Sequence, residues 1–254
     1  MGFPNDILNT RADIKPGLYA VIPPEGLVDN VLPGFENTTN SILGSPRLGA
    51  RFTDYIVTLH KGGKNTGFAG EEGVQSFIYV VDGKLNATAG DEKFEFTQGG
   101  YLYCPPGVKM TFENAQDEDT KVYLYKQRYT PLEGGKEPWV VSGNTNDIKK
   151  EIYDGMDNVL LQDLLPVDFA FDMNMHILTF EPTGCHPFVE THYQEHGAYL
   201  LSGEGMYNLD NKWMPVKKDD YIYMGPYCIQ ACYAIGREAI SYIYSKDCHR
   251  DPQV

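Results

Sequence analysis

The stretch from Gly184 to Gly203 reads GCHPFVETHYQEHGAYLLSG and gathers three residues able to bind a metal. Glu190, His192 and His196 are separated by even steps, so in an extended strand they project to one face while Tyr193 and Glu195 project to the other. One carboxylate and two neutral imidazoles form a site open to further ligands, suited to Mn, Fe, Co, Ni or Zn. Such an ion can orient a small substrate and activate water. Cys228 and Cys232 lie nearby as C-x3-C, but no second cysteine pair completes a four-thiolate set, and they read as buried small residues. His60, His176, His186 and His249 have no comparable company and read as structural.

Elements that could position these ligands are short segments rich in Val, Ile, Tyr and Phe and bounded by Gly, Asp, Asn or Pro, the pattern of an antiparallel all-β fold. Examples are 77–81, 101–103, 122–125 and 240–244. A shift of 120 residues aligns Tyr79 with Tyr199, Gly83 with Gly203, and Tyr101-Leu102-Tyr103 with Tyr221-Ile222-Tyr223. A duplicated β-barrel follows: an N-terminal extension over 1–39, a barrel over 40–130, a linker over 131–159 and a second barrel over 160–254. The breakers Pro131, Gly134, Gly135, Pro138 and Gly143 mark the linker. One helix is predicted, from Asp157 to Leu165, ended by Pro166.

Twenty-one Lys and Arg against 35 Asp and Glu give a net charge of -14, which repels phosphate backbones and anionic lipid surfaces. Nucleic acid and membrane are therefore not expected partners. No apolar run approaches the roughly 18 residues of a membrane span, and no secretory leader is evident. Five cysteines, an odd count, suit a reducing compartment, so a cytoplasmic location is expected.

The ligand spacing G-x5-E-x-H-x3-H-x6-G resembles the first signature of the cupin superfamily, with the acid and one histidine exchanged. The resemblance implies a bicupin, a duplicated double-stranded β-helix or jelly-roll barrel. The second cupin signature is met loosely by residues 219–234, with Asp219 in place of the usual Gly and Gln230 at the histidine position. Gln230 thereby joins Glu190, His192 and His196 as a fourth ligand, and its amide oxygen shifts preference toward Mn(II) or Fe(II). In the first half the positions 120 residues earlier hold Gly70, Glu72, Ser76 and Met110, so no metal set is expected there. Its scaffold nevertheless matches well, because GGYLYCPPGVKMTFEN from Gly99 to Asn114 departs from the second signature only at Met110. That half is expected to be structural or to form oligomer contacts, with an organic ligand held by Glu72 and Lys109 as the alternative.

Over nearly the whole length the chain closely resembles the (S)-ureidoglycine aminohydrolase family, in ETHYQEHGAYLLSGEGMYNLD, KKDDYIYMGPYCIQACY and SYIYSKDC and in the N-terminal LYAVIPPEGLVDNVLPGFENT. The resemblance implies a hydrolase that releases ammonia from (S)-ureidoglycine to give (S)-ureidoglycolate in allantoin breakdown, with one Mn(II) per chain on Glu190, His192, His196 and Gln230. It further implies substrate contacts from Glu190, Gln230, Tyr242 and Lys246, catalytic roles for Glu190 and Lys246, Tyr207 as a pocket wall, and a homo-oligomer. The readings left open are another metal-dependent bicupin enzyme, such as a dioxygenase or decarboxylase, and a non-catalytic cupin.

Overall fold

The computed structural model describes residues 10–246 and residue 250; Cys248 and His249 lie outside the described residues. Among the described residues, twenty strands follow one another: β1 (Asp13–Lys15), β2 (Tyr19–Ile22), β3 (Phe35–Ile42), β4 (Phe52–Phe68), β5 (Val74–Asp82), β6 (Lys84–Ala89), β7 (Glu92–Thr97), β8 (Gly100–Cys104), β9 (Met110–Asn114), β10 (Thr120–Arg128), β11 (Val141–Asn144), β12 (Glu151–Tyr153), β13 (Met156–Asp163), β14 (Asn174–Phe180), β15 (His196–Ser202), β16 (Glu204–Leu209), β17 (Lys212–Lys217), β18 (Tyr221–Met224), β19 (Gln230–Ile235) and β20 (Ile240–Lys246). They divide into two compact units, the first built from residues 27–46 and 51–147, the second mainly from 10–26, 47–50 and 148–246.

The first unit is one nine-stranded sheet, ordered β11-β8-β5-β10-β4-β9-β6-β7 with β3 paired to β4. The 17-residue β4 pairs with β10 along Phe52–Leu59 and with β9 beyond Lys64, so a single bent strand carries the sheet around its own core. The core is apolar throughout: Val57, Leu59, Phe68, Ile78, Val80, Leu102, Met110, Phe112 and Leu124. Period-two alternation in β6, with Leu85, Ala87 and Ala89 buried, shows the same division between core and outer face.

In the second unit the strand order β18-β15-β20-β14 repeats β8-β5-β10-β4 of the first, and β19-β16-β17 repeats β9-β6-β7. The duplication read from Tyr79 and Tyr199 is therefore a duplication of topology. The second unit differs at the counterpart of long β4. Strand β14 stops at Phe180, Pro182 and Gly184 break the chain, and residues 181–195 run as irregular backbone before β15 begins at His196. The eight-stranded sheet and the three-stranded sheet of this unit consequently stay separate.

Three segments differ from the sequence reading. Residues 157–163 are not helical: β13 pairs with β14, Val159 opposite Phe180 and Leu161 opposite Leu178, and these side chains join the second core. The leucine-rich segment has good helix propensity, and strand pairing over a buried face overrides it. Within the stretch read as an N-terminal extension, β1 and β2 extend the second unit's sheet through β18, and Phe35–Ile42 pairs with β4. Within the stretch read as linker, β11 adds to β8.

Candidate metal centre

The irregular segment 181–195 is held against β19 and the turn before it by main-chain bonds. The Glu190 N–H donates to the Gln230 carbonyl at 2.8 Å, the Gln230 N–H returns to the Glu190 carbonyl at 2.9 Å, and the Tyr227 N–H donates to the His192 carbonyl at 2.7 Å. The shared parity read for Glu190, His192 and His196 is therefore not what aligns them: only His196 lies in a strand. Convergence comes from this bridge, which sets Glu190 directly opposite Gln230.

The imidazoles meet at Nε2. His192 Nε2 and His196 Nε2 are 3.3 Å apart, and the Gln230 amide nitrogen lies 2.8 Å from His192 Nε2. Each ring turns its Nδ1 to a backbone carbonyl, His192 to Gln194 at 3.0 Å and His196 to Ser245 at 2.9 Å. A neutral ring that donates from Nδ1 keeps an Nε2 lone pair, so two lone pairs face each other across a short gap, the arrangement in which outer hydrogen bonds orient imidazoles toward a metal. Burial pushes both imidazoles below the usual histidine range, His196 strongly, and the Lys246 charge pushes the same way. Both rings are thus neutral and able to ligate near neutral pH.

Among the described residues no three His, Cys, Asp or Glu side chains close around one point. The converging set is the two imidazoles with the Gln230 amide, while the Glu190 carboxylate lies on the wall of the same cavity. The donor types fit a divalent cation: neutral imidazoles, an amide that presents oxygen after a half turn, and a carboxylate. Burial raises the Glu190 carboxyl above its ordinary range, against the opposing charge of Lys246.

These groups line one small, half-enclosed cavity. It brings together every residue named from the sequence, Glu190, His192, His196, Tyr207, Gln230, Tyr242 and Lys246, and adds Tyr153, Leu178, His186, Met224 and Tyr244. The Tyr207 and Tyr242 hydroxyls are 3.4 Å apart on buried side chains, and burial pushes both phenols well above their ordinary range, so they stay neutral donors. Tyr153 comes from β12, its phenol pushed up to about 12 by burial and by Glu190. Nothing in its local sequence signals a site. His186, read as structural, lies on the cavity wall.

At the corresponding places in the first unit, Met110 is fully buried among apolar side chains, Ser76 is buried and Glu72 is exposed. Glu72 lines a shallow pocket with Arg51, Lys126 and Arg128, whereas Lys109 packs over Gly67 and Gly70.

Comparison with known proteins gives these features a family. A cupin-domain model matches residues 55–125, within the unit whose second signature is the more complete. Over its full 254 residues the chain is 55% identical to (S)-ureidoglycine aminohydrolase of Escherichia coli strain K12, covering 97% of that protein. It belongs to the (S)-ureidoglycine aminohydrolase family. A probable (S)-ureidoglycine aminohydrolase of rice, Oryza sativa subsp. japonica, is 34% identical over 93% of this chain and 75% of that protein. The crystal structure of protein Ylba from E. coli superposes with a TM-score of 0.88 at 52% identity, covering all of both chains. The fold of this family member is thus a duplicated cupin, all-β in both halves.

Proposed function

We propose that this chain is an (S)-ureidoglycine aminohydrolase that replaces the amine on the α-carbon of (S)-ureidoglycine by hydroxyl, consuming water and releasing ammonia and (S)-ureidoglycolate. The observation that carries the reading is the gathering of Glu190, His192, His196, Gln230, Tyr207, Tyr242 and Lys246 around one small cavity, in a chain 55% identical end to end to a protein of that name. Glu190, His192, His196 and Gln230 would hold one Mn(II) per chain, the hard oxygen donors of Glu and Gln favouring it over softer-ligand ions. The bound ion supplies chelation of the substrate's amine and carboxylate and lowers the pKa of water.

The protein groups divide the remaining tasks. Lys246, at the end of β20, pairs with the substrate carboxylate as a mobile cation. Tyr207 and Tyr242, neutral and buried, donate hydrogen bonds to the ureido carbonyl. Glu190, its proton affinity raised by burial, would serve as acid or base only on leaving the metal during turnover, in direct attack by water or in loss of ammonia to an imine that water then traps. A small, recessed polar cavity suits a small-molecule substrate rather than a macromolecule, and homo-oligomer formation and a cytoplasmic setting complete the reading. Purified protein with Mn(II) is expected to give (S)-ureidoglycolate in excess over its enantiomer. Because the substrate releases ammonia unaided, racemic product with unchanged ammonia release overturns the assignment, and oxygen uptake without ammonia release points to a dioxygenase instead.

A further inference from the structure

His186 is a buried polar group on the cavity wall to which neither the ligand set nor the substrate contacts give a task. Its side chain is 4% exposed and lies edge-on to Phe180, with ring centroids 4.9 Å apart. The residue is clamped to β19 twice: its N–H donates to the Cys232 carbonyl at 3.0 Å, and its Nδ1 accepts the Cys232 N–H at 2.8 Å. An Nδ1 that accepts leaves the ring proton on Nε2 in the neutral ring. That Nε2 lies 4.0 Å from Glu190 Oε2.

The segment 186–190 is thus pinned at both ends to the same strand, at Cys232 through His186 and at Gln230 through the backbone of Glu190. His192 and His196 hold the opposite tautomer, each donating from Nδ1 to a carbonyl. Backbone partners therefore sort the three imidazoles into two that present a lone pair and one that presents a proton. A fixed N–H donor beside a carboxylate selects which oxygen remains for an ion, as outer hydrogen bonds do for ligating groups.

We infer that His186 is a positioning residue for Glu190, directing its Nε2–H to one carboxylate oxygen so that the other faces the metal. The inference rests on the reading of Glu190 as a ligand. Closing the 4.0 Å separation to a charge-assisted hydrogen bond takes a movement of about 1 Å. Lys246 and Asp154 are the other charges that act on Glu190, the first lowering and the second raising its proton affinity.

The test uses the full chain and two variants. His186→Asn keeps an oxygen near the Nδ1 position to accept the Cys232 N–H but reaches no donor to Glu190. His186→Gln reaches far enough to restore that donor. Expected for His186→Asn are a weakening of Mn(II) binding of about tenfold or more, followed by the electron paramagnetic resonance of free Mn(II), and a fall in kcat with little change in KM. The metal-free melting temperature should stay near that of the parent, and His186→Gln should recover most of the affinity. Parental Mn(II) affinity in His186→Asn overturns the inference, as does an affinity loss shared by both variants and matched by a lower metal-free melting temperature. If the parent binds Mn(II) but turns over no ureidoglycine, the functional assignment fails while the affinity comparison still decides the role of His186.

Discussion

In the proposed function Glu190 carries both ligand and acid-base chemistry, so its replacement is the most severe change expected at single-residue scale. Glu190→Ala should lower stereoselective turnover by about 100-fold or more and reduce bound Mn(II), measured by chiral product analysis and metal content. On the same reading Tyr242→Phe removes one of the two phenol donors to the ureido oxygen, and a fall in kcat/KM on the order of 10- to 100-fold is expected from steady-state kinetics. His186 also ties stability to pH. Burial lowers its imidazole to about 4, whereas in the unfolded chain it titrates near the ordinary histidine value of about 6.5. The unfolded state therefore binds the extra proton between those values, and stability, full above the unfolded value, falls as pH drops toward the folded one. From about pH 7.5 to about pH 5 this amounts to roughly 2 kcal/mol, and His192 and His196, lowered in the same sense, add to it. Urea midpoints should fall over that range, less in His186→Asn, and an equal fall in both proteins contradicts the assignment. The ligand types and their order were legible in the chain because motif spacing survives folding. Tyr153 was not, because nothing local distinguishes a cavity tyrosine from the chain's other tyrosines.

Strands β1 and β2 show how an element far away in sequence completes the sheet that carries His196. Strand β2 pairs with β18, which pairs with β15, whose first residue is His196. Arg11, just before β1, grips the fully buried Asp220 with two hydrogen bonds of 2.7 and 2.8 Å and also contacts Glu25. Removing the guanidinium strands a buried carboxylate, which retains only the Lys217 N–H among these contacts. Arg11→Ala is therefore expected to cost about 2–4 kcal/mol, read as a lower thermal midpoint in the metal-free protein. Gly203, the glycine closing the ligand motif, turns the chain from β15 to β16 with a φ of +72°, and an added Cβ would collide with the Ala239 carbonyl oxygen. Gly203→Ala should destabilise by about 1–3 kcal/mol, with Gly83, its counterpart at φ +92°, responding alike. The periodicity of β13 misleads because its leucines suit a helix as well as a strand, and only pairing with β14 decides between them.

At the scale of the whole molecule, the described residues carry the same strand order twice and one converging set of candidate ligands. Metal analysis is expected to give one Mn(II) per chain, and Met110→His should leave that number unchanged, since Met110 sits in a closed apolar cluster with Phe68, Cys104 and Phe112. A second ion per chain in either protein contradicts this reading. Duplication, the all-β class and the candidate ligand residues that share the cavity could be read directly from the sequence, because repeat offsets, strand periodicity and motif spacing are one-dimensional properties that every copy of the chain displays. The convergence of those ligands could not. It depends on a strand that stops at Phe180 where its counterpart runs on to Phe68, on main-chain bonds that dock Glu190 against Gln230, and on carbonyl partners that set each imidazole's tautomer. Apart from the local bond of His192 to Gln194, these contacts join residues about 40 to 50 positions apart, and only the folded backbone brings them within hydrogen-bond distance.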